Sequence, residues 1–318
     1  MHPRTTTALA QATVVVLLAA LGLLGLGAGP AAAADGDASW TVSTAADDFG
    51  SGRPNYSYTL NPGGRLEDGL VVVNRGTTPL HLAVYAADAF TDERGRLDLV
   101  TKEAKPARVG AWVHPDRPDV TVRPGESAEV PFTVALPKDA APGEYMGGIV
   151  TSLTPERRLG IRIRLRVGGE LRPSLSVEDL RVRYAGTSNP FGKGDVTVTY
   201  TIHNTGNAIL TGRQAVSLSG PFGRLGAGRQ IGDSPQLLPG DTWKVSVPVH
   251  GVAPALRLTG TVTLVPLLTD ASGSIAPLAA AEATTHAWTI PWALLLLLVV
   301  VCGLVVAGLA FLRRRRAR

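Results

Sequence analysis

Residues 161–167 read Ile-Arg-Ile-Arg-Leu-Arg-Val, a strict alternation of aliphatic and basic side chains. A period of two places Ile161, Ile163, Leu165 and Val167 on one face of an extended segment and Arg162, Arg164 and Arg166 on the other. Only a strand with one face against a core satisfies that pattern. Val120–Val122, Val130–Leu136, Asp195–His203, Lys244–Val249 and Leu258–Val265 repeat it in weaker form. Turn signals separate them: Asn61-Pro62-Gly63-Gly64, Arg123-Pro124-Gly125, Ala141-Pro142-Gly143 and Leu238-Pro239-Gly240. No amphipathic helical period interrupts residues 35–287. Short strands with frequent turns define an all-β chain of sandwich type.

The two ends are apolar. Met1-His2-Pro3-Arg4, an apolar run from Val14 to Leu26 and the small residues Ala31–Ala34 form a signal peptide over 1–34, with cleavage expected after Ala34. Residues 288–312 carry Trp288 and Trp292 followed by about 20 apolar residues, enough to cross a bilayer as a helix. Arg313–Arg316 follow directly, so the tail 313–318 is expected on the cytoplasmic side and residues 35–287 outside. The expected location is therefore the plasma membrane, as a single-pass protein.

These ends distort the charge. Of 31 basic residues, six lie in them, which leaves 25 against 26 acidic residues over 35–287. A nearly neutral middle gives no basic surface for nucleic acid. The single cysteine, Cys302, lies in the C-terminal apolar run, so no disulfide framework or cysteine metal site is available to the middle.

An internal repeat divides the middle in two. Leu70–Val73 runs into Asn74-Arg75-Gly76, and Thr199–His203 runs into Asn204-Thr205-Gly206. Farther on, Pro124-Gly125-Glu126-Ser127 and Pro239-Gly240-Asp241-Thr242 each precede a strand. The repeat predicts tandem immunoglobulin-like domains over 35–169 and 170–270, with an insertion in the first copy and a stalk over 271–287. Asn-x-Gly is expected to form a turn with positive φ, and Pro-Gly a type II turn.

Catalytic patterns are missing. His81, His114, His203, His250 and His286 lack metal-ligand spacing, and neither G-x-S-x-G nor a phosphate loop occurs. Neither a metal nor another cofactor is expected, and the chain is read as a non-enzyme.

In the first half, Asn55-Tyr56-Ser57-Tyr58-Thr59-Leu60 precedes Pro62-Gly63, and the strand ending in Asn74 is followed by Ala87-Asp88-Ala89-Phe90-Thr91. Gly95, Pro124-Gly125, Leu136-Pro137 and Pro142-Gly143-Glu144-Tyr145-Met146-Gly147-Gly148-Ile149 continue the series. In this order the residues resemble the peptidoglycan-binding domain of the WxL-interacting proteins of Gram-positive bacteria. The resemblance covers nearly all of the first domain; the second matches that family in position and architecture. It implies a signal peptide, two immunoglobulin-like domains, one membrane helix, and peptidoglycan or another cell-wall polymer as partner.

Candidate contacts each carry two readings. Tyr56 and Tyr58 share a strand face and either fill the core or form a ladder for glycan rings. Trp112 is a core anchor or a sugar platform. Asp88 and Thr91 belong to a polar loop with Asp92, Arg94 and Gly95, either solvated or ligand-binding. The row Arg162, Arg164, Arg166 faces solvent, the second domain or an anionic polymer. A rival reading is a protein-binding adhesion or assembly module that uses exposed sheet edges to hold another surface protein.

Overall fold

The computed structural model describes residues 39–187, 189, 192–220, 227–253, 256–269, 274–289 and 292–316. The proposed signal peptide, 1–34, lies outside them. The first domain holds β1 (Trp40–Thr44), β2 (Tyr56–Leu60), β3 (Arg65–Asn74), β4 (Leu80–Thr91), β5 (Leu97–Leu99), a one-turn α1 (Val109–Trp112), β6 (Val113–Pro115), β7 (Asp119–Val122), β8 (Ser127–Ala135), β9 (Gly143–Ser152) and β10 (Arg158–Val167). The second holds β11 (Leu175–Ala185), β12 (Gly194–Asn204), β13 (Leu210–Ser219), β14 (Ala227–Gln230), β15 (Thr242–Val252), β16 (Leu256–Thr269), β17 (Ile275–Pro277) and β18 (Ala281–Thr289). A 25-residue helix, α2 (Trp292–Arg316), follows.

In the first domain the order β1-β3-β8-β6 faces the order β2-β10-β9-β4-β5, with β7 on the first half of β4. All its pairings are antiparallel except β2 with β10, which is parallel. The alternation of β10 has the expected result: Ile161, Ile163, Leu165 and Val167 are buried, and Arg162 and Arg166 are exposed. Trp40 joins the sheets, its buried indole N–H donating to Thr151 Oγ1 across the core at 2.9 Å.

The chain changes sheets between β1 and β2, and Arg53 fixes that crossing. Its guanidinium donates to both oxygens of buried Asp68, at 2.7 and 2.9 Å, to Asp47 Oδ1 at 3.0 Å and to the carbonyl of Ala45 at 3.1 Å. It also lies over the rings of Phe49 and Tyr56.

In the second domain β11-β12-β15 faces β14-β13-β16, with β17 and β18 both on β16. Here the structure corrects the expected boundaries. The expected stalk, 271–287, holds strands of the sandwich: β17 pairs with β16, and β18 pairs with β16 over nine residues, from Leu264↔Ala281 to Leu256↔Thr289. Its inward positions are Ala281, Ala283, Thr285 and Ala287, small enough for β11 to lie close alongside. Trp288, assigned from the sequence to the membrane helix, is in this strand, and the helix runs on to Arg316. The stretch Leu295–Arg315 contains an 18-residue window with a mean hydropathy of 3.1 and is long and apolar enough to cross a membrane.

The internal repeat has a physical cause. Asn74 and Asn204 are fully buried. Asn74 donates from Nδ2 to the carbonyls of Thr78 and Val122, and its Oδ1 accepts from the Gly76 N–H. Asn204 donates from Nδ2 to the carbonyls of Ala208 and Leu237, and its Oδ1 accepts from the Gly206 N–H. The main chain repeats too: Gly125 N–H donates to the Asn74 carbonyl and Gly240 N–H to that of Asn204. Each asparagine thus holds its own turn to the segment that enters the Pro-Gly turn. Gly125 and Gly240 have φ of 73° and 88°, as the Pro-Gly reading requires. The Asn-x-Gly reading needs correction: neither Gly76 nor Gly206 is among the positive-φ residues. Gly206 is required by space, since a Cβ there would lie 2.4 Å from the Arg172 carbonyl oxygen.

Substituting Asn204→Ala removes three hydrogen bonds and leaves buried backbone groups unpaired. The expected loss is about 2–4 kcal/mol of unfolding free energy, checked by denaturant titration of the full chain in detergent with tryptophan emission as readout.

Candidate functional site

The sheet β2-β10-β9-β4-β5 has an outer face that two features divide. The second domain covers one half. The other half holds a cavity of about 270 Å³ lined by Asn55, Leu97–Leu99, Val150, Arg158, Gly160 and Arg162.

The covered half is a junction of buried polar groups. Glu144, 5% exposed, accepts from the Arg164 guanidinium at 2.7 Å and from the backbone N–H of Ile209, in the second domain, at 2.8 Å. Arg164 also donates to the Thr269 carbonyl at 3.0 Å. Asn207 reaches back from the second domain, donating from Nδ2 to the carbonyls of Pro142 and Glu170, while its own carbonyl accepts from Glu144 N–H. The Thr91 hydroxyl lies 2.8 Å from Asp241 Oδ2 and 3.1 Å from the Gln236 carbonyl, so its one proton bridges the domains. Met146, Ile209 and Leu238 form an apolar cluster beside these groups. Gly143 admits the contact: a Cβ there would lie 2.8 Å from the Asn207 carbonyl oxygen.

The open half depends on glycines and on the insertion in the first repeat. A Cβ on Gly148 would lie 2.6 Å from Leu99 Cδ1, and one on Gly160 3.2 Å from the same atom. Two missing side chains therefore let β5 fold down as a wall. Arg158 holds the wall, donating to the carbonyls of Leu99 and Val100 at 2.6 and 3.3 Å and to Asp98 Oδ1 at 3.1 Å. Arg162 is exposed and shows no hydrogen bond or ion pair among the described residues. The parallel register, Ile163↔Tyr56, brings Asn55 beside it. One free guanidinium, one partly committed guanidinium and an amide around a concave surface suit an anionic or carboxamide-bearing ligand.

The remaining sequence candidates are scattered. Tyr56 and Tyr58 are 0% and 4% exposed, so they form no glycan ladder. Burial pushes both phenols up from their ordinary value. Tyr56 packs edge-on to Phe132 at 5.1 Å, and Tyr58 donates to Asp68. Asp88 is in β4 and not in a loop; it accepts the N–H groups of Ala107, Arg108 and Gly110 and so holds the segment that leads into α1. Trp112 is half-buried, edge-on to Tyr145 at 4.8 Å, which is a packing contact. Thr91 and Arg164 belong to the junction, and Arg166 is exposed opposite Glu144 in the β9–β10 ladder. Of the three arginines Arg162, Arg164 and Arg166, Arg162 alone lines the cavity. Asn55, Asp98 and Arg158 carry no signal of their own, because the sequence does not show that the residue ahead of β2 and the short β5 lie beside Arg158–Arg162.

No family model matches the chain, and no curated protein matches it. Solved structures of pilus chaperones show a remote similarity to it. One is a chaperone–tip adhesin complex of CFA/I fimbriae, with 10% identity over 77% of this chain and 98% of that one, at a TM-score of 0.37. A second is the class 5 fimbriae chaperone CfaA, 9% identical over 79% and 100% of the chains, at 0.35. A third is the CupB2 chaperone of Pseudomonas aeruginosa, 12% identical over 75% and 99%, at 0.32. Superposition at this level says nothing of what the chain binds.

Asp68 gives a measurable consequence. Burial opposes its charge, but the hydrogen bonds from Arg53 and then Tyr58 outweigh that and hold the carboxyl below its ordinary 3.8. A carboxyl lowered in the native state adds stability above its unfolded value and loses it as the pH falls through the native one. Asp68→Asn is expected to cost about 3 kcal/mol at pH 7, by removing the bidentate carboxylate and leaving Arg53 only Asp47 as an anionic partner. It should also flatten the fall in stability below about pH 4. Unfolding titrations of both forms from pH 7 to pH 2.5 check both effects.

Proposed function

We propose that this is a non-enzymatic, single-pass surface protein whose first domain holds peptidoglycan or another cell-wall polymer. The observation that carries the proposal is the cavity at Arg162, open on the half of the sheet face that the second domain leaves uncovered. Stem-peptide carboxylates or polymer phosphates would meet Arg162 and Arg158, with Asn55 offering an amide to a neighbouring carbonyl or hydroxyl. The resemblance to the WxL-interacting proteins supports the same polymer class.

The fold supports the geometry of that role. α2 serves as the anchor, with its arginines inside the cell. β16 runs from Leu256, beside the end of β18, to Thr269, which accepts from Arg164 of the first domain. Its 14 residues correspond to about 45 Å of extended chain. The second domain therefore acts as a spacer that carries the cavity away from the bilayer and into the wall.

The rival reading, a partner strand added to a sheet edge, has less support. β2 covers β10 from Ile163 to Val167, and β15, which among the described residues pairs only with β12, carries Lys244 and Pro248, which discourage pairing.

Pull-down of the full chain on purified peptidoglycan, with and without attached anionic polymers, tests the proposal. Wild type is expected to sediment with the wall material, and Arg162→Glu to lose at least tenfold in affinity with unchanged unfolding. Salt should weaken binding in proportion to the anionic contacts made. Equal binding by Arg162→Glu would remove the cavity from the proposal, and no binding by wild type would remove the polymer.

A further inference from the structure

The second domain has two ends. Asn207, Ile209 and Thr269 occupy the one that meets the first domain. The opposite end is formed by the close of β11 at Ala185, the start of β12 at Gly194, the close of β15 at Val252 and the paired ends of β16 and β18, where Leu256 faces Thr289. Only residues 290 and 291 separate that end from α2. Thr289 and Trp292 therefore lie no more than about 11 Å apart along the chain. The headgroup region on each side of a bilayer is about 5–7 Å deep. A helix inserted from Trp292 onward thus leaves this end of the sandwich no room to stand clear of the lipid.

The side chains there match that position. Trp288 is 75% exposed, at the last turn of chain before the anchor. Arg257 is its direct cross-strand neighbour in β16 and is also exposed. Arg183 and Lys193 are exposed near the same end, on β11 and just ahead of β12. The acidic group among them, Asp195, lies 3.0 Å from His250 Nδ1. An exposed indole beside basic groups suits the interface between headgroups and water.

We infer that this end of the second domain docks on anionic lipid headgroups, with Trp288 in the interface and Arg257, Lys193 and Arg183 on the phosphates. The inference rests on α2 being a membrane anchor. Docking at the base would make the spacer stand on the bilayer instead of swinging on its anchor, and so would fix the height of the cavity at Arg162.

The test uses the full chain in nanodiscs of phosphatidylcholine with 30% phosphatidylglycerol, in a Cys302→Ser background. A fluorophore on Ala185→Cys reports the docked end, and one on Arg75→Cys reports the distal end of the first domain. A nitroxide-headgroup lipid is the quencher. At least fivefold stronger quenching at 185 than at 75 is expected. The double substitution Arg257→Glu, Trp288→Ser should reduce it toward the value at 75 while the chain still floats with vesicles. Equal quenching at both positions in a chain that floats would overturn the docking. Strong quenching that the double substitution leaves unchanged would overturn the assigned contacts. A chain that does not float would overturn the anchor reading itself, and the docking with it.

Discussion

The carboxylate of Glu144 is the point on which the two domains turn. It is buried where a charge is costly, and it is tolerated there because a guanidinium from its own sheet and a backbone N–H from the other domain both donate to it. Neither partner alone would offset the loss of water. Arg164 extends the chain of contacts to the Thr269 carbonyl, and Asn207 closes it from the opposite side. Separating the domains would expose one or more of these groups without a partner, so the junction favours one arrangement strongly. The orientation of β16, and with it the distance between the cavity and α2, follows from that arrangement.

Within each domain the same solution appears twice. A buried asparagine ties its turn to the segment that enters a Pro-Gly turn, and one side chain satisfies three backbone groups that the sheets leave over. The copies then diverge in one place. In the first, the stretch between the asparagine and the Pro-Gly turn contains β5, α1 and β6, and β5 becomes the wall of the cavity. In the second, the described residues of the corresponding stretch hold β13 and β14 between the turns. The repeat built two sandwiches, and the insertion added to the first the wall of the cavity at Arg162.

Much of this architecture was legible. A period of two needs a half-buried sheet, so β10 and β12 stood out at once. Gly125 and Gly240 announced their turns because few other residues accept that backbone conformation. β18 was missed because Ala281, Ala283 and Ala287 carry little hydrophobic signal; they are small because β11 lies against them, and nothing local says so. The arginine row shows the limit of periodicity. It places three guanidiniums on one face, but whether that face meets water, a ligand or another domain depends on what the chain does 105 residues after Arg164, at Thr269. Tyr56 and Tyr58 were equally ambiguous, since an aromatic ring with a hydroxyl suits both a core with an internal acceptor and a sugar platform. Asp68 supplied the acceptor for Tyr58 and the Gly69 carbonyl that for Tyr56.

On the proposed reading, the position of the cavity at Arg162 is set by two connections, one at Glu144 and one at the membrane. The first can be measured directly. Spin labels on Thr59→Cys in the first domain and Ser217→Cys in the second, in a Cys302→Ser background, report the interdomain distance by pulsed electron resonance. A junction held by Glu144, Arg164 and Asn207 predicts one narrow distribution, as narrow as that of a pair placed within a single sandwich. A broad or bimodal distribution would contradict the account, because the second domain would then be a loose tether and not a spacer.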